Sequence, residues 1–141
     1  MTDDEKILYW LNLADYDFET AKAMLTTKRY LYVGFMCHQT IEKALKAVVT
    51  KITGSTPPKV HNLIRLANAG ELFDDLTEEQ QNFLISLNPL NIEARYPEQQ
   101  ESIASTLNDD NCTELLNETE VLLCWIKQRL TPPSTDTQEQ S

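Results

Sequence analysis

Arg95 is the residue whose type and setting most clearly point to chemistry. It is followed by Tyr96 and Pro97, and a proline restricts the backbone of the preceding residue as well as its own. A guanidinium on so stiff a segment can hold a nucleotide phosphate by two hydrogen bonds while the ring of Tyr96 stacks on the base. The alternative is structural, with Arg95 forming an ion pair to Glu42 or Glu93 that fixes the loop.

Two histidines, His38 and His61, provide groups that exchange protons near neutral pH. His61 follows Pro58 at an expected helix start, where it either orients the loop or lines a shared cleft. His38 falls near the edge of an apolar helix face, and we expect a partly buried ring with one hydrogen-bonded nitrogen. Since the three cysteines lie far apart and no other histidine is present, we expect neither a metal site nor a cofactor.

A further group of candidate residues lies between Val33 and Ile52. Apolar residues recur there every three or four positions, which predicts the buried face of a long helix. Four polar side chains turn away from this face and form a compact group: Gln39, Glu42, Lys43 and Lys46. We expect the two lysines either to be solvated or to contact phosphate.

The elements that position these residues are predicted to be helices. The 141 residues include only three glycines, and two of these fall where expected helices end, whereas a β-rich domain uses more glycine in its turns. Capping and apolar spacing predict helices over 4–26, 30–53, 60–69, 77–87 and 113–130, with an irregular segment over 88–97. We therefore expect one helical domain over residues 1–130 and a disordered tail over 131–141.

The distribution of charge restricts the partners. The chain carries a net charge of −10, yet the segment from Lys28 to Arg65 has seven basic residues and one acidic residue, a net +6. A local positive field can therefore contact phosphate, while the acidic remainder disfavours general RNA binding. No apolar run approaches the roughly 20 residues that span a bilayer, and the acidic N-terminus lacks the regions of a signal peptide. We expect a cytoplasmic protein without membrane contact.

Three local patterns occur in order along the chain. The first is HQTIEKALKA from His38, the second is HNLI from His61, and the third is EARYP from Glu93. Together they resemble the HEPN domain family (higher eukaryotes and prokaryotes nucleotide-binding), over roughly residues 7–126. The resemblance implies an all-α, up-and-down bundle of four long helices with one or two short ones, commonly a homodimer.

The same resemblance bears on catalysis. Many HEPN proteins are metal-independent ribonucleases with an arginine, about four to six intervening residues and then a histidine, and this histidine can transfer the proton. In this chain Gln100, Glu101 and Ser102 stand at those positions after Arg95, and no histidine follows it. The proton-transfer group is therefore missing from its usual place, and no catalytic residue is assigned.

Three functions remain open at this point. The first is a nucleotide- or nucleic-acid-binding module without ribonuclease activity, for which the resemblance implies a minimal nucleotidyltransferase partner in a toxin–antitoxin-like pair. The second is a divergent metal-independent ribonuclease toxin in which His61 or His38 replaces the missing histidine. The third is a helical scaffold that binds other proteins.

Overall fold

The computed structural model describes residues 1–131, and every regular element in that range is helical. Within it the α-helices are α1 (Asp3–Thr26), α2 (Tyr30–Thr53), α3 (Leu63–Ala69), α4 (Glu78–Leu87), α5 (Pro97–Thr106) and α6 (Asp109–Leu130). Short 3-10 turns occupy Phe73–Asp75, Asn88–Leu90 and Ile92–Ala94. The predicted all-α helical fold is confirmed. The tail predicted to be disordered lies, beyond Thr131, outside the described residues.

The helices α1 and α2 form an antiparallel hairpin. A capping box starts α1, since the Thr2 hydroxyl accepts a hydrogen bond from the Glu5 amide and the Glu5 carboxylate accepts one from the Thr2 amide. Gly54 ends α2 in the left-handed conformation, with φ of 67°. A β-carbon on Gly54 would lie 3.4 Å from the Asp3 carboxylate, so the end of α2 lies beside the start of α1.

The second helix is the central one, because α1, α3 and α6 all pack against it. Its first half also meets Leu90 and Leu107 beside Gly34. The largest fully buried apolar side chains are Ile41, Leu45, Leu63, Leu66, Leu72, Leu84, Leu87 and Ile126. Burying each such side chain contributes about 1.5–3 kcal/mol. Because α1, α3 and α6 cover α2, polar side chains on the covered sides of this helix are buried as well.

The structure differs from the sequence-based prediction at two helix starts and in one additional helix. α3 begins at Leu63, because the Asn62 side chain accepts hydrogen bonds from the next free amides. α6 begins at Asp109, about a turn earlier than expected, because Asn108 caps it. The third difference is α5, which was not predicted and which Pro97 opens. Within residues 1–131, none of the helices combines the length and the apolarity needed to span a membrane.

Candidate functional site

A buried carboxylate, that of Glu42 on α2, is the centre of a polar cluster. The residue is 2% exposed. Its two oxygens lie 3.0 and 3.2 Å from Nδ1 of His61, and Oε2 accepts a hydrogen bond of 3.1 Å from Nζ of Lys46. Nδ1 of His38 is 3.8 Å from Oε1. We call these four residues the Glu42 cluster. Since an isolated buried carboxylate is costly, these partners are what make its burial tolerable.

The helical repeat and one loop bring the Glu42 cluster together. His38, Glu42 and Lys46 are four residues apart on α2 and therefore lie on one side of that helix. His61 comes from the segment before α3, where Asn88 Oδ1 accepts a hydrogen bond of 2.9 Å from the Leu63 amide. The loop that carries His61 is thus tied to a second segment of the chain.

Among the four side chains of the Glu42 cluster, that of His61 alone is exposed, by 62%. Its Nδ1 faces Glu42, so the carboxylate favours the ring form in which Nδ1 carries a proton. The atom left for a ligand is Nε2. A carboxylate that orients an imidazole in this way produces a group able to accept a proton or, when charged, to donate a hydrogen bond.

His38 is completely buried beside the carboxylate. Both of its ring nitrogens lack a hydrogen-bond partner among residues 1–131, whereas we expected one to be satisfied. Burial lowers the pKa of His38 to about 4, although the nearby Glu42 carboxylate acts in the opposite direction. His38 is therefore neutral at pH 7 and is a poor candidate for proton exchange with solvent.

The expected polar group facing away from the core is corrected by the structure. Glu42 and Lys46 are buried, because α1 and the segment before α3 cover that side of α2. Nζ of Lys46 also lies 5.5 Å from the centre of the Trp10 ring, within the range of a cation–π contact. Lys46 is neither solvated nor available to phosphate.

Lys43 and Gln39 form a second, smaller arrangement. Nζ of Lys43 donates to Gln39 Oε1 at 3.0 Å and to Asp17 Oδ2 at 3.1 Å. The Lys43 and Asp17 side chains are both largely buried. The charge of this lysine is thus committed to α1, which corrects the expectation that it is solvated or contacts phosphate.

Arg95 and Tyr96 lie between the Ile92–Ala94 turn and the body of α5. Nε of Arg95 donates to the Pro89 carbonyl at 3.2 Å. Within residues 1–131 the guanidinium forms no ion pair, so the alternative of a bridge to Glu42 or Glu93 is wrong. Tyr96 is 75% exposed. This bond uses Nε alone and leaves both Nη atoms without a protein hydrogen bond among residues 1–131, and a guanidinium can hold a phosphate through two such donors.

The turn Asn88–Leu90 connects the two halves of the site. The Asn88 side chain accepts a hydrogen bond from the amide of Leu63, which lies two residues after His61. The carbonyl of the next residue, Pro89, accepts a hydrogen bond from Nε of Arg95. Gln100, at a position where the ribonuclease signature requires histidine, donates from Nε2 to the Arg95 carbonyl at 3.2 Å. No hydrogen bond in the described part of the chain joins Arg95 directly to His61. The two are instead attached to the same turn, the His61 segment through the Leu63 amide and Arg95 through its Nε.

No group of three or more potential metal ligands among His, Cys, Asp and Glu is found in the described residues. The sequence did not reveal the supporting role of four residues that contact the candidate site residues or their loops: Trp10, Asp17, Asn88 and Gln100. Of these, only Gln100 stood out in the sequence, because it occupies a position where the ribonuclease pattern has histidine. The other three are distant in sequence from the residues they hold.

The family model for the HEPN domain matches residues 7–130. The chain belongs to the HEPN domain family. Two solved structures share the HEPN fold at 20% sequence identity: TT1696 from Thermus thermophilus, with a TM-score of 0.71 over 87% of this chain and 97% of that one, and ST0689, an archaeal HEPN homologue, with a TM-score of 0.65 over 89% and 98%. No curated protein matches the sequence.

Removing the charge of Glu42 is expected to destabilise this HEPN domain. In Glu42→Gln the buried Lys46 loses its anionic partner, and we expect the free energy of unfolding in urea to fall by about 3 kcal/mol. Lys46→Met should also be destabilising, while the double variant should lose less than the sum of the two. Asp15→Asn, which removes an exposed ion pair with Lys127, is the control and should cost less than about 1 kcal/mol. If the double variant lost the full sum of the two single losses of stability, Glu42 and Lys46 would not be an interacting pair.

The neutral state of His38 predicts a pH-dependent stability. The unfolded chain binds a proton on this ring near pH 6.5 and the folded protein at a pKa of about 4, so the unfolded state binds more protons between these values. The free energy of unfolding should therefore fall as pH drops through this window, by about 3 kcal/mol in full. In His38→Leu this contribution should disappear. Parallel urea titrations from pH 7 to 4 test it, and identical pH profiles for the two proteins would refute it.

Proposed function

We propose that this HEPN protein binds a nucleotide, or the end of a nucleic-acid strand, at a surface formed by Arg95, Tyr96 and His61. The observation that carries the proposal is the anchored guanidinium of Arg95, whose Nε is bound to the Pro89 carbonyl. The Nη atoms can donate to two phosphate oxygens, and the exposed ring of Tyr96 offers a stacking face for a base.

His61 adds a second polar contact to this surface. The buried carboxylate of Glu42 holds its ring, so Nε2 is oriented towards the solvent side. When charged, Nε2 donates to phosphate, and when neutral it accepts from a ribose hydroxyl. Glu42 and Lys46 act in this proposal by supporting His61, and Gln39 and Lys43 by fixing α2 to α1.

The start of α3 contributes nothing to anion binding, because its amides are already satisfied. The Leu63 amide donates to Asn88, and the Ile64 and Arg65 amides donate to Asn62 Oδ1. Near His61 the phosphate contacts therefore come from side chains, not from the amides of α3.

We further propose that the protein is a homodimer that acts with a minimal nucleotidyltransferase in a toxin–antitoxin-like pair. Family membership and the division of charge support this part of the proposal. Outside the segment 28–65 the chain has a net charge of −16, which suits a basic protein partner better than a second nucleic acid. Co-purification of the two chains after co-expression tests the pairing.

Calorimetric titration at low salt tests the nucleotide surface. We expect the protein to bind ATP or a short 5′-phosphorylated RNA, and Arg95→Gln to weaken the affinity by about tenfold or more, because charged hydrogen bonds to phosphate are lost. Arg95→Lys should recover part of the affinity without the two-point geometry.

The matched control is Arg129→Gln, the same substitution near the end of α6. There Nζ of Lys51, close to the end of α2, donates a hydrogen bond to the carbonyl of the neighbouring Leu130. This substitution removes one ion pair with Asp75 and should leave the affinity unchanged. An absence of binding to either ligand, or an equal loss in Arg129→Gln, would refute the proposed surface.

The pairing of His61 with Glu42 favours ribonuclease activity as a second function. In this mechanism Nε2 of His61 takes the proton from a ribose 2′-hydroxyl, whose oxygen attacks phosphorus while the bond to the 5′-oxygen breaks. Arg95 stabilises the charge on the phosphate, and the departing oxygen takes a proton from solvent. The product is a 2′,3′-cyclic phosphate, and His61 from the segment before α3 replaces the missing histidine after Arg95.

Incubation of purified protein with RNA in excess chelator tests this second function. We expect His61→Ala to abolish cleavage while Arg129→Gln retains it, and the products to end in a 2′,3′-cyclic phosphate. Cleavage that persists in His61→Ala would rule out this mechanism. If nucleotide binding is observed without any cleavage, the first function stands alone.

A further inference from the structure

An open groove runs between α4 and α6. Its apolar lining includes Phe83, Val121 and Leu122, and its volume is about 230 Å³. Val121 is 66% exposed, which is high for a branched apolar side chain in the middle of a helix. Glu79 and Glu118 line the same groove, one from each helix. We call this feature the α4–α6 groove.

The α4–α6 groove continues in both directions along α6. Phe83 and Glu118 also line a depression of about 290 Å³ that reaches Asn111, and Val121 lines another of about 390 Å³ that reaches Gln128. At the rise of an α-helix, the distance from Asn111 to Gln128 is roughly 25 Å. The continuous surface is therefore long and narrow, the shape that accommodates a helix of four to five turns.

The edges of this surface are acidic. Four glutamates line the three depressions, and none of the lining residues is a lysine, arginine or histidine: Glu79, Glu114, Glu118 and Glu120. Burial and the charges of Glu114 and Glu79 raise the pKa of the Glu118 carboxyl. Arg129 stacks on Trp125 at one end but is already paired with Asp75. The glutamates repel one another, and a cation brought into the groove would relieve that repulsion.

We propose that the α4–α6 groove binds a basic amphipathic helix of a partner protein. The apolar face of that helix would cover Phe83 and Val121, and its lysines or arginines would pair with Glu79 and Glu118. The negative edges disfavour a nucleic acid. A second copy of this chain fits less well, because its long apolar helix α2 is largely buried in its own bundle and two of the lysines on that helix, Lys43 and Lys46, already pair with Asp17 and Glu42.

This docking proposal goes beyond the nucleotide surface and shares no residue with it. It requires neither Arg95 nor His61, so a failure of nucleotide binding leaves it standing. Conversely, loss of the groove contacts would not remove the anchor between Arg95 and Pro89.

The test uses the full chain and two synthetic peptides of 18 leucine and lysine residues. In the first, leucines follow the i, i+3, i+4, i+7 spacing of one helix face, and in the second the same residues are scrambled. Calorimetry measures the affinity, and amide chemical shifts identify the surface. We expect the first peptide to bind and to shift amides within 79–90 and 111–128.

Three variants make the test specific. Val121→Ser should weaken the affinity about fivefold, because apolar contact is lost, and Glu118→Gln about two- to fivefold, because one exposed ion pair is lost. Glu101→Gln, which removes an exposed glutamate of α5 outside the groove, should leave the affinity unchanged. The scrambled peptide should bind at least fivefold more weakly.

Several results would overturn the proposal. Equal binding of both peptides, or equal losses in Glu101→Gln and Glu118→Gln, would show attraction to the overall negative charge alone. Shifts confined to other helices would place the peptide elsewhere. Sedimentation that shows a dimer which Val121→Arg converts to a monomer would mean that a second copy covers the groove.

Discussion

Burying a carboxylate inside a helical bundle is costly unless cationic and hydrogen-bonding groups surround it, and much of this molecule is arranged around that requirement. Glu42 on α2 is enclosed by Lys46 from the same helix and by His61 from the segment before α3. Trp10 of α1 covers the lysine in turn. Three separate parts of the chain are thus held in place by one charge. The exposed end of this arrangement, the His61 ring, is where the buried charge can act on a ligand.

Local signals made most of the fold predictable. The bounds of α2 and the cap of α4 follow from apolar spacing, Gly54 and the Thr77 capping box, which depend on neighbouring residues alone. The helix Pro97–Thr106 has a local signal only at its start, Pro97, and because it buries none of its residues it has no apolar face to detect. It is held instead by contacts such as that of Gln100 with the Ile92 carbonyl, which no periodicity shows.

The residues of the candidate site could be proposed from the sequence, whereas their surroundings could not. Arg95, Tyr96, His61 and Glu42 could all be named from type and setting. That Glu42 is buried could not be read from its spacing, because burial depends on which elements cover α2. The partners that decide the chemistry are distant, 19 residues for His61 with Glu42 and 26 for Lys43 with Asp17. Pairs so far apart in a single sequence leave no pattern among neighbouring residues from which they could be predicted.

The turn that follows α4 has a mechanical consequence. Asn88 and Pro89 hold the loop after His61 and the side chain of Arg95, respectively, and they directly continue the helix that forms one wall of the groove. A displacement of α4 would therefore be transmitted to both halves of the proposed nucleotide surface at once. By thermodynamic linkage, an occupant of the groove that altered nucleotide affinity would have its own affinity altered by the same factor. The turn Asn88–Leu90 is thus the connection through which binding at the groove and binding at the proposed nucleotide surface would affect each other.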